Sequence, residues 1–263
     1  MDWESSSPPS GLDATLSGSP LERWLLARLP DATRAWLDNA LGDARAAGPL
    51  ADFAVAWCSC GRRLGRAPLV LDDGDARGLM TDGAAFVPAG WGTDELGRAP
   101  LLLAASEGRP PDLLAGVFED LYRKGEMREQ QALLRVLAYL PAPGAWAGLA
   151  AEAVRSNVVS VLEALACDNP FPAAHMDGLA FNQMVMKAIF NGLPLARILG
   201  LRERADAELK RMARGFARER RAAGRAVPQD LSLIDRGLID LGLMDSDRAT
   251  RSGSLPGVPD APV

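Results

Sequence analysis

Apolar residues recur at intervals of three and four along most of this chain, which is the pattern of helices that bury one face. Leu21, Trp24, Leu25 and Leu29 form the first such stripe. Short Gly or Pro breaks separate the stripes, as expected between helices. The predicted helices cover 20–29, 31–47, 49–64, 93–106, 111–124, 126–139, 143–154, 156–167, 179–191 and 202–225. Abundant Ala and Leu favour the same conformation, so the sequence predicts an all-α fold.

The connections between these helices are short, which favours antiparallel neighbours. We therefore predict a single domain over 20–245, in which antiparallel helical hairpins stack in a solenoid-like, HEAT- or TPR-like arrangement. No strict repeat period supports this arrangement, so it follows from the connections alone. The ends, 1–19 and 246–263, are rich in Ser, Gly and Pro and are predicted to be a disordered lead and a disordered tail.

Residues 65–92 interrupt the helical pattern with an irregular insertion rich in Gly and Asp. We expect a long loop there, or a poorly formed hairpin around Asp73 and Gly74. The acidic run DDGD could bind a cation, but it lacks the bidentate Glu of a calcium loop at the required spacing. A solvated turn is the preferred interpretation.

The net charge, the apolar runs and the number of cysteines limit the classes of protein to which the chain could belong. A net charge of −5 argues against nucleic-acid binding. No signal peptide is recognisable, and no apolar run approaches the roughly 20 residues of a membrane-spanning helix, so we expect a cytoplasmic protein. Abundant Arg with little Lys suggests a bacterial gene of high GC content. Three cysteines, Cys58, Cys60 and Cys167, are too few for a disulfide framework and are predicted to be buried free thiols.

The segment 167–201 is the most distinctive in the chain. Asn169-Pro170-Phe171-Pro172 should turn the chain, because each proline disfavours a helical conformation in the residue before it. In the helix that follows, Asn182 falls within the apolar arc and needs a hydrogen-bond partner, for which the backbone of that turn is the natural candidate. The alternative is that Asn182, Gln183 and Lys187 line a ligand pocket.

The motifs NPFPAAH, FNQMVMKAIF and LARILGL in this segment resemble the C-terminal signature of the EboA family of metabolite traffic proteins. The resemblance is strong over 167–227, extends to the helices from about 110, and is weak before residue 100. It implies a bacterial gene cluster with a TatD-like hydrolase, a UbiA-like prenyltransferase and a dehydroquinate-synthase-like enzyme, linked to moving secondary-metabolite precursors across the inner membrane. It transfers no catalytic residue.

His175 is the only histidine, and Asp168 and Asp177 lie close to it in the sequence. These three residues could form an acid–base or metal centre. The preferred interpretation is structural, because His175 is expected where a helix begins and polar residues satisfy free backbone groups. The chain has no phosphate-binding glycine loop, no GxSxG and no HExxH. We expect no catalytic residue, no metal site and no cofactor.

Residues 202–225 contain nine Lys or Arg and four acidic residues. A solvated helix face is the simpler interpretation. Docking to an anionic membrane or to an acidic partner is the alternative, in which Arg214, Arg218 and Arg221 would make the contact.

Three functional hypotheses follow. The first is a non-enzymatic adaptor or carrier that holds a prenylated or aromatic metabolite, or a partner protein of the same gene cluster, in a concave surface of 110–201. The second is an enzyme centred on His175, and the third is a scaffold docked to the inner membrane through 202–225. Candidate ligand- or partner-binding residues are His175, Asn182, Gln183, Lys187, Asn169 and Phe171, and candidate aromatic contacts are Trp146, Phe171, Phe181 and Phe190.

Overall fold

The computed structural model describes residues 20–46, 50–81, 88, 90–240 and 242, and these form an all-α fold, as predicted. Within those ranges there is no β-strand, and the only extended pairing is an isolated antiparallel bridge between Pro68 and Gly92. The predicted disordered lead and tail lie outside the described residues. Contacts between Cα atoms group the chain into two compact units, one up to Leu149 and one from Ala150.

Apart from α4, the helices of the first unit begin and end close to the predicted positions. They are α1 (Pro20–Leu26), α2 (Asp31–Arg45), α3 (Ala51–Arg63), α4 (Asp73–Thr81), α5 (Thr93–Ser106), α6 (Pro111–Lys124) and α7 (Met127–Val136), with 3₁₀ turns at Leu137–Tyr139 and Pro143–Trp146. The two helices predicted over 93–106 and 111–124 have those bounds.

Helix α5 forms the centre of this unit and contacts α2, α3 and α7. Every residue after Thr93 is buried, so the helix is enclosed on all sides. An enclosed helix is usually apolar throughout, yet the first two turns of α5 carry Asp94, Glu95 and Arg98. These charges therefore have to be neutralised inside the protein.

The expectation of a loop or hairpin at 65–92 was wrong for its middle part, because α4 occupies Asp73–Thr81. The acidic run that suggested a turn caps this helix: the Asp72 carboxylate accepts a hydrogen bond of 2.7 Å from the Asp75 N–H. Asp75 in turn accepts from the indole of Trp24 at 3.1 Å. Only Leu79 of α4 is buried, so the helix lacks the repeated apolar positions that would have predicted it.

The second unit continues the helical pattern. Its elements are α8 (Ala147–Val154), which spans the boundary between the units, then α9 (Val159–Ala166), α10 (Phe171–His175), α11 (Gly178–Phe190), a 3₁₀ turn at Leu195–Arg197, α12 (Leu201–Arg204), α13 (Ala207–Ala222), a 3₁₀ turn at Gln229–Leu233 and α14 (Gly237–Asp240). Helix α11 packs against α9 and α13. The solenoid-like stacking and the domain limits of 20–245 stay predictions.

The proline-rich corner contains one more helix than expected. Asn169 turns the chain by accepting a hydrogen bond of 3.0 Å from the Phe171 N–H, after which α10 begins immediately. His175 is the last residue of α10 and does not begin a helix, contrary to the prediction. The residue that caps the next helix is Asp177, whose carboxylate accepts from the Ala180 N–H at 2.7 Å.

The basic segment 202–225 is two helices, not one. Asp206 breaks it by capping α13, with its carboxylate accepting from the Leu209 N–H at 2.7 Å. The apolar face of α13 includes Leu209, Ala213 and Phe216, which are buried.

Candidate functional site

Two of the predicted site residues bond to the backbone. Lys187 donates from Nζ to the carbonyl oxygens of Val154 and Ser156, at 2.7 and 2.6 Å. These carbonyls lie at the end of α8, where a helix is electronegative and a cation is stabilising. Asn169 donates from Nδ2 to the Ala164 carbonyl at 3.0 Å, in addition to its bond with Phe171. Both side chains therefore satisfy backbone groups at chain turns.

Asn182 is buried and bonds to a carboxylate rather than to the proline-rich turn, so the predicted partner was wrong. Its Nδ2 lies 3.1 Å from each carboxylate oxygen of Asp206, the residue that caps α13. The N–H of Leu209 and then this contact lower the pKa of Asp206 below its ordinary value. Asn182 Oδ1 is buried and has no donor among the described residues. The contact ties α11 to the beginning of α13.

His175, Phe171 and Gln183 differ in how far their side chains are buried. The Phe171 side chain is fully buried, and its ring centroid lies 5.2 Å from that of His175. Burial lowers the pKa of half-buried His175 below its ordinary value, which favours the neutral imidazole. Gln183 is exposed. No described hydrogen bond joins His175, Asn182 and Lys187, and as ligand-binding residues all six stay predictions.

The acids considered beside His175 have other partners. Asp168 pairs with Arg197 at 2.7 Å, and Arg197 also pairs with Glu163 at 2.6 Å. Of the aromatic residues expected on a concave surface, Trp146 and Phe181 are buried and Phe190 is 66% exposed. Within the described ranges, no group of three or more His, Cys, Asp and Glu residues could hold a metal ion.

A buried charge cluster lies at the start of α5 and was not predicted. Arg98 is 2% exposed and pairs with Asp94 at 2.7 Å and with Glu129 at 3.4 Å. Its Nε also donates to the Trp57 carbonyl at 3.2 Å. We call the set of three acids and three arginines the buried charge cluster; it comprises Asp94, Glu95, Arg98, Arg128, Glu129 and Arg135.

The charges of this cluster balance, and its pairing favours the ionised form of Asp94. Burial opposes the ionisation of Asp94, but hydrogen bonds from Arg128 and Arg98 outweigh it and lower the pKa of Asp94 below its ordinary value. Glu95 accepts from Arg135 at 3.1 Å and from the Gly92 N–H at 2.6 Å. Removing one member of a buried pair leaves its partner uncompensated and costs about 3–5 kcal/mol. The cluster is therefore a strong constraint on how α5 and α7 pack.

An apolar cavity of about 410 Å³ lies beside this cluster, between α3, α6 and the start of α7. This volume falls in the range of small-molecule sites. Its lining comprises Leu50, Ala54, Cys58, Val117, Asp120, Leu121, Lys124, Gly125 and Glu129. Asp120 and Lys124 are exposed and pair with each other at 2.8 Å. The buried Glu129 is thus the group through which the cavity meets the charge cluster.

Among the described residues, Glu129 has three hydrogen-bond donors, one fewer than a carboxylate can accept. A carboxylate has about four acceptor positions. Arg98, the Glu126 N–H and the Cys58 thiol occupy three of those of Glu129. A ligand with an apolar body and one hydroxyl group could therefore place its donor on the remaining position.

Cys58 contributes polarity and not a nucleophile. The structure exposes this residue, so the prediction of a buried thiol was wrong here, although Cys60 and Cys167 are buried as predicted. Desolvation and then the negative charge of Glu129 raise the pKa of Cys58 above its ordinary value. Because the thiolate is the reactive form, this shift disfavours a nucleophilic role for Cys58.

The amino-acid sequence contains one feature from which the buried charge cluster could have been predicted. Asp94 and Arg98 are spaced i, i+4, and they precede a continuous apolar run in the same helix. A helix with such an apolar run is buried along its length, including its first turns. Charged residues in those turns must then pair with opposite charges inside the protein. The partner Glu129 comes from another helix and could not be identified from spacing.

Comparison with known proteins supports the resemblance. The family model of metabolite traffic protein EboA matches residues 18–234. This match includes the helices that form the charge cluster and the cavity, which precede the segment 167–227 that carries the strongest resemblance. No curated protein and no solved structure matches the chain significantly. Among the described residues no helix has the length and apolarity to cross a bilayer. The chain belongs to the EboA family, whose description points to a role in metabolite traffic.

Proposed function

We propose that this protein is a non-enzymatic helical carrier that binds an apolar metabolite bearing one hydroxyl group in the cavity between α3 and α6. The observation that carries the proposal is the junction of an apolar cavity of about 410 Å³ with the buried carboxylate of Glu129. The apolar walls would bury the body of the ligand, and the free acceptor position would fix its orientation. Prenyl alcohols and phenols have this chemistry.

The family description supports a role in traffic, and we infer that the bound molecule is a secondary-metabolite precursor. In this proposal the protein acts in the cytoplasm as an adaptor, and it passes the ligand to partner proteins encoded in the same gene cluster for export. The raised pKa of Cys58 supports carriage over catalysis, because it disfavours the reactive thiolate. Co-purification of a cluster protein with the tagged chain would test the adaptor role separately from ligand binding.

The cavity can be tested with two probes, farnesol and 2-naphthol, by isothermal titration calorimetry. Val117 lines the cavity and Leu113, one turn earlier in α6, is 60% exposed and does not line it. Val117→Trp should fill the cavity and abolish saturable binding. Leu113→Trp is the matched control and should retain it.

Thermal unfolding of both variants checks that they are folded. Binding of neither probe by the wild-type protein would contradict the proposal. Equal affinities of the folded Val117→Trp variant and the wild type would contradict it as well.

A further inference from the structure

A second cavity, of about 390 Å³, lies in the other unit where α11 and α13 end. Phe190 is the last residue of α11 and is 66% exposed, which is unusual for a large aromatic side chain. Its ring meets Phe216 edge to face, with the centroids 5.1 Å apart. One face of the cavity is therefore aromatic.

An adjoining cavity of about 320 Å³ extends this surface, since both are lined by Ile189, Gly192 and Pro228. Its other lining residues are Leu193, Pro194, Leu195 and Asp230. Asp230 already accepts a hydrogen bond of 3.0 Å from the Leu195 N–H. The extension is mainly aliphatic and could accommodate a hydrocarbon chain.

Two arginines line the aromatic cavity because of the way α13 ends. Gly224 has a φ of +66°, a left-handed conformation that closes the helix and reverses the chain. The Arg225 N–H then bonds to the Arg220 carbonyl at 2.8 Å, which brings the two residues together. Within the described ranges, the Arg225 side chain has no hydrogen-bond partner.

Arg220 is held in place by two contacts. Its Nε donates to the Ala226 carbonyl at 2.6 Å, and its guanidinium carbon lies 5.7 Å from the centroid of the Phe216 ring. Neither contact uses the two Nη groups, which can therefore bind an oxyanion in the planar geometry that guanidinium favours. Glu219 is the one acid that lines this cavity, against two arginines.

We propose that this surface binds a small anionic amphiphile, which is a molecule with a hydrocarbon chain and a terminal phosphate or carboxylate. The chain lies along Ile189, Phe190 and the aliphatic extension. The anionic group binds Arg220 and Arg225 through charge-assisted hydrogen bonds. We call this the arginine–phenylalanine surface, and it shares no residue with the cavity between α3 and α6.

Calorimetric titration with decyl phosphate tests this proposal, with decanol as the uncharged comparison. Arg225→Gln should weaken the binding of decyl phosphate about tenfold, which corresponds to one charge-assisted hydrogen bond. The same variant should leave the affinity for decanol unchanged. Arg218→Gln is the matched control, since Arg218 is exposed on α13, close to Arg225 in the sequence, and does not line the cavity.

Two further variants test the apolar wall of this surface and show whether binding there depends on the cavity between α3 and α6. Phe190→Ser should weaken the binding of both probes, because it removes the exposed apolar wall. All titrations are repeated in the Val117→Trp background, in which binding at the arginine–phenylalanine surface should persist. Loss of decyl phosphate binding in that background would overturn this inference and leave the first proposal intact.

A vesicle experiment separates a small ligand from a membrane surface. Phosphatidylcholine vesicles containing phosphatidylglycerol should bind the protein no better than vesicles of phosphatidylcholine alone. Binding to the anionic vesicles without binding of decyl phosphate would overturn the proposal in favour of membrane docking. Equal weakening by Arg218→Gln and Arg225→Gln would also overturn it, because it would indicate a diffuse charge effect.

Discussion

The buried polar groups at the start of α5 and the polar groups along α11 are stabilised by different kinds of partner. At the start of α5, Arg98 pairs with Asp94 and Glu129 inside the protein, so charge neutralises charge. Along α11, Lys187 and Asn182 satisfy the ends of other helices, with carbonyl groups and a capping carboxylate as partners. Distinctive sequence motifs along α11 therefore fix the path of the chain, whereas the ordinary i, i+4 pair of Asp94 and Arg98 lies beside the better candidate for a binding site.

Arg98→Met should have the largest effect, because it leaves Asp94 and Glu129 buried without their shared cation. We expect a loss of about 3–5 kcal/mol in the free energy of unfolding, measured by urea titration with far-UV circular dichroism. Arg123→Met is the matched control, since Arg123 forms an exposed i, i+4 pair with Glu119. That change should cost about 0–1 kcal/mol. Similar losses for the two variants would remove the distinction between the two regions.

Lys187→Met should have an intermediate effect. It removes two hydrogen bonds from a charged group to carbonyls at the end of α8. Because Lys187 is only half-buried, we expect a loss of about 1.5–3 kcal/mol in the free energy of unfolding, which is the contribution of one such bond. Gln183→Met, one turn earlier on the exposed side of α11, should change the free energy of unfolding by less than about 0.5 kcal/mol. If Lys187→Met weakened farnesol binding without changing stability, the ligand-site interpretation of this residue would be preferred.

The smallest effect is a dependence on pH. The pKa of Asp94 is lower in the folded protein than its ordinary value of about 3.9. Its ionised form therefore stabilises the fold above about pH 4, and this contribution is lost as the pH falls through the folded pKa. The difference in unfolding free energy between wild type and Asp94→Asn should narrow as the pH is lowered from about 7 to about 3. A constant difference across that range would show that ionised Asp94 does not stabilise the fold.

The sequence patterns predicted the helices well wherever an apolar stripe was long. The helices over 93–106 and 111–124 have the predicted bounds, because α5 carries a long apolar run and α6 buries one continuous face. The pattern failed at Asp73–Thr81, where only Leu79 is buried and capping by Asp72 begins the helix. It also failed at Asp206, since a capping residue inside a basic run has no effect on apolar periodicity.

The candidate site was harder to predict for a physical reason. Each local motif reports on its own helix, whereas the cavity joins Cys58 of α3, Val117 of α6 and Glu129 of α7. Contacts between residues so far apart in the sequence depend on tertiary packing. No short-range spacing in the sequence indicates them. The arginine–phenylalanine surface was partly visible as the basic segment 202–225, but its relation to Phe190 required the packing of α11 against α13.

Photo-crosslinking with a diazirine analogue of farnesol, followed by peptide mass spectrometry, is the most direct test of the carrier proposal. We predict adducts on the peptides that contain 50–58 and 117–129, with excess farnesol preventing them and Val117→Trp abolishing them. Adducts confined to exposed apolar residues elsewhere, such as Leu179 or Val70, would contradict the proposal that the cavity beside Glu129 holds the ligand.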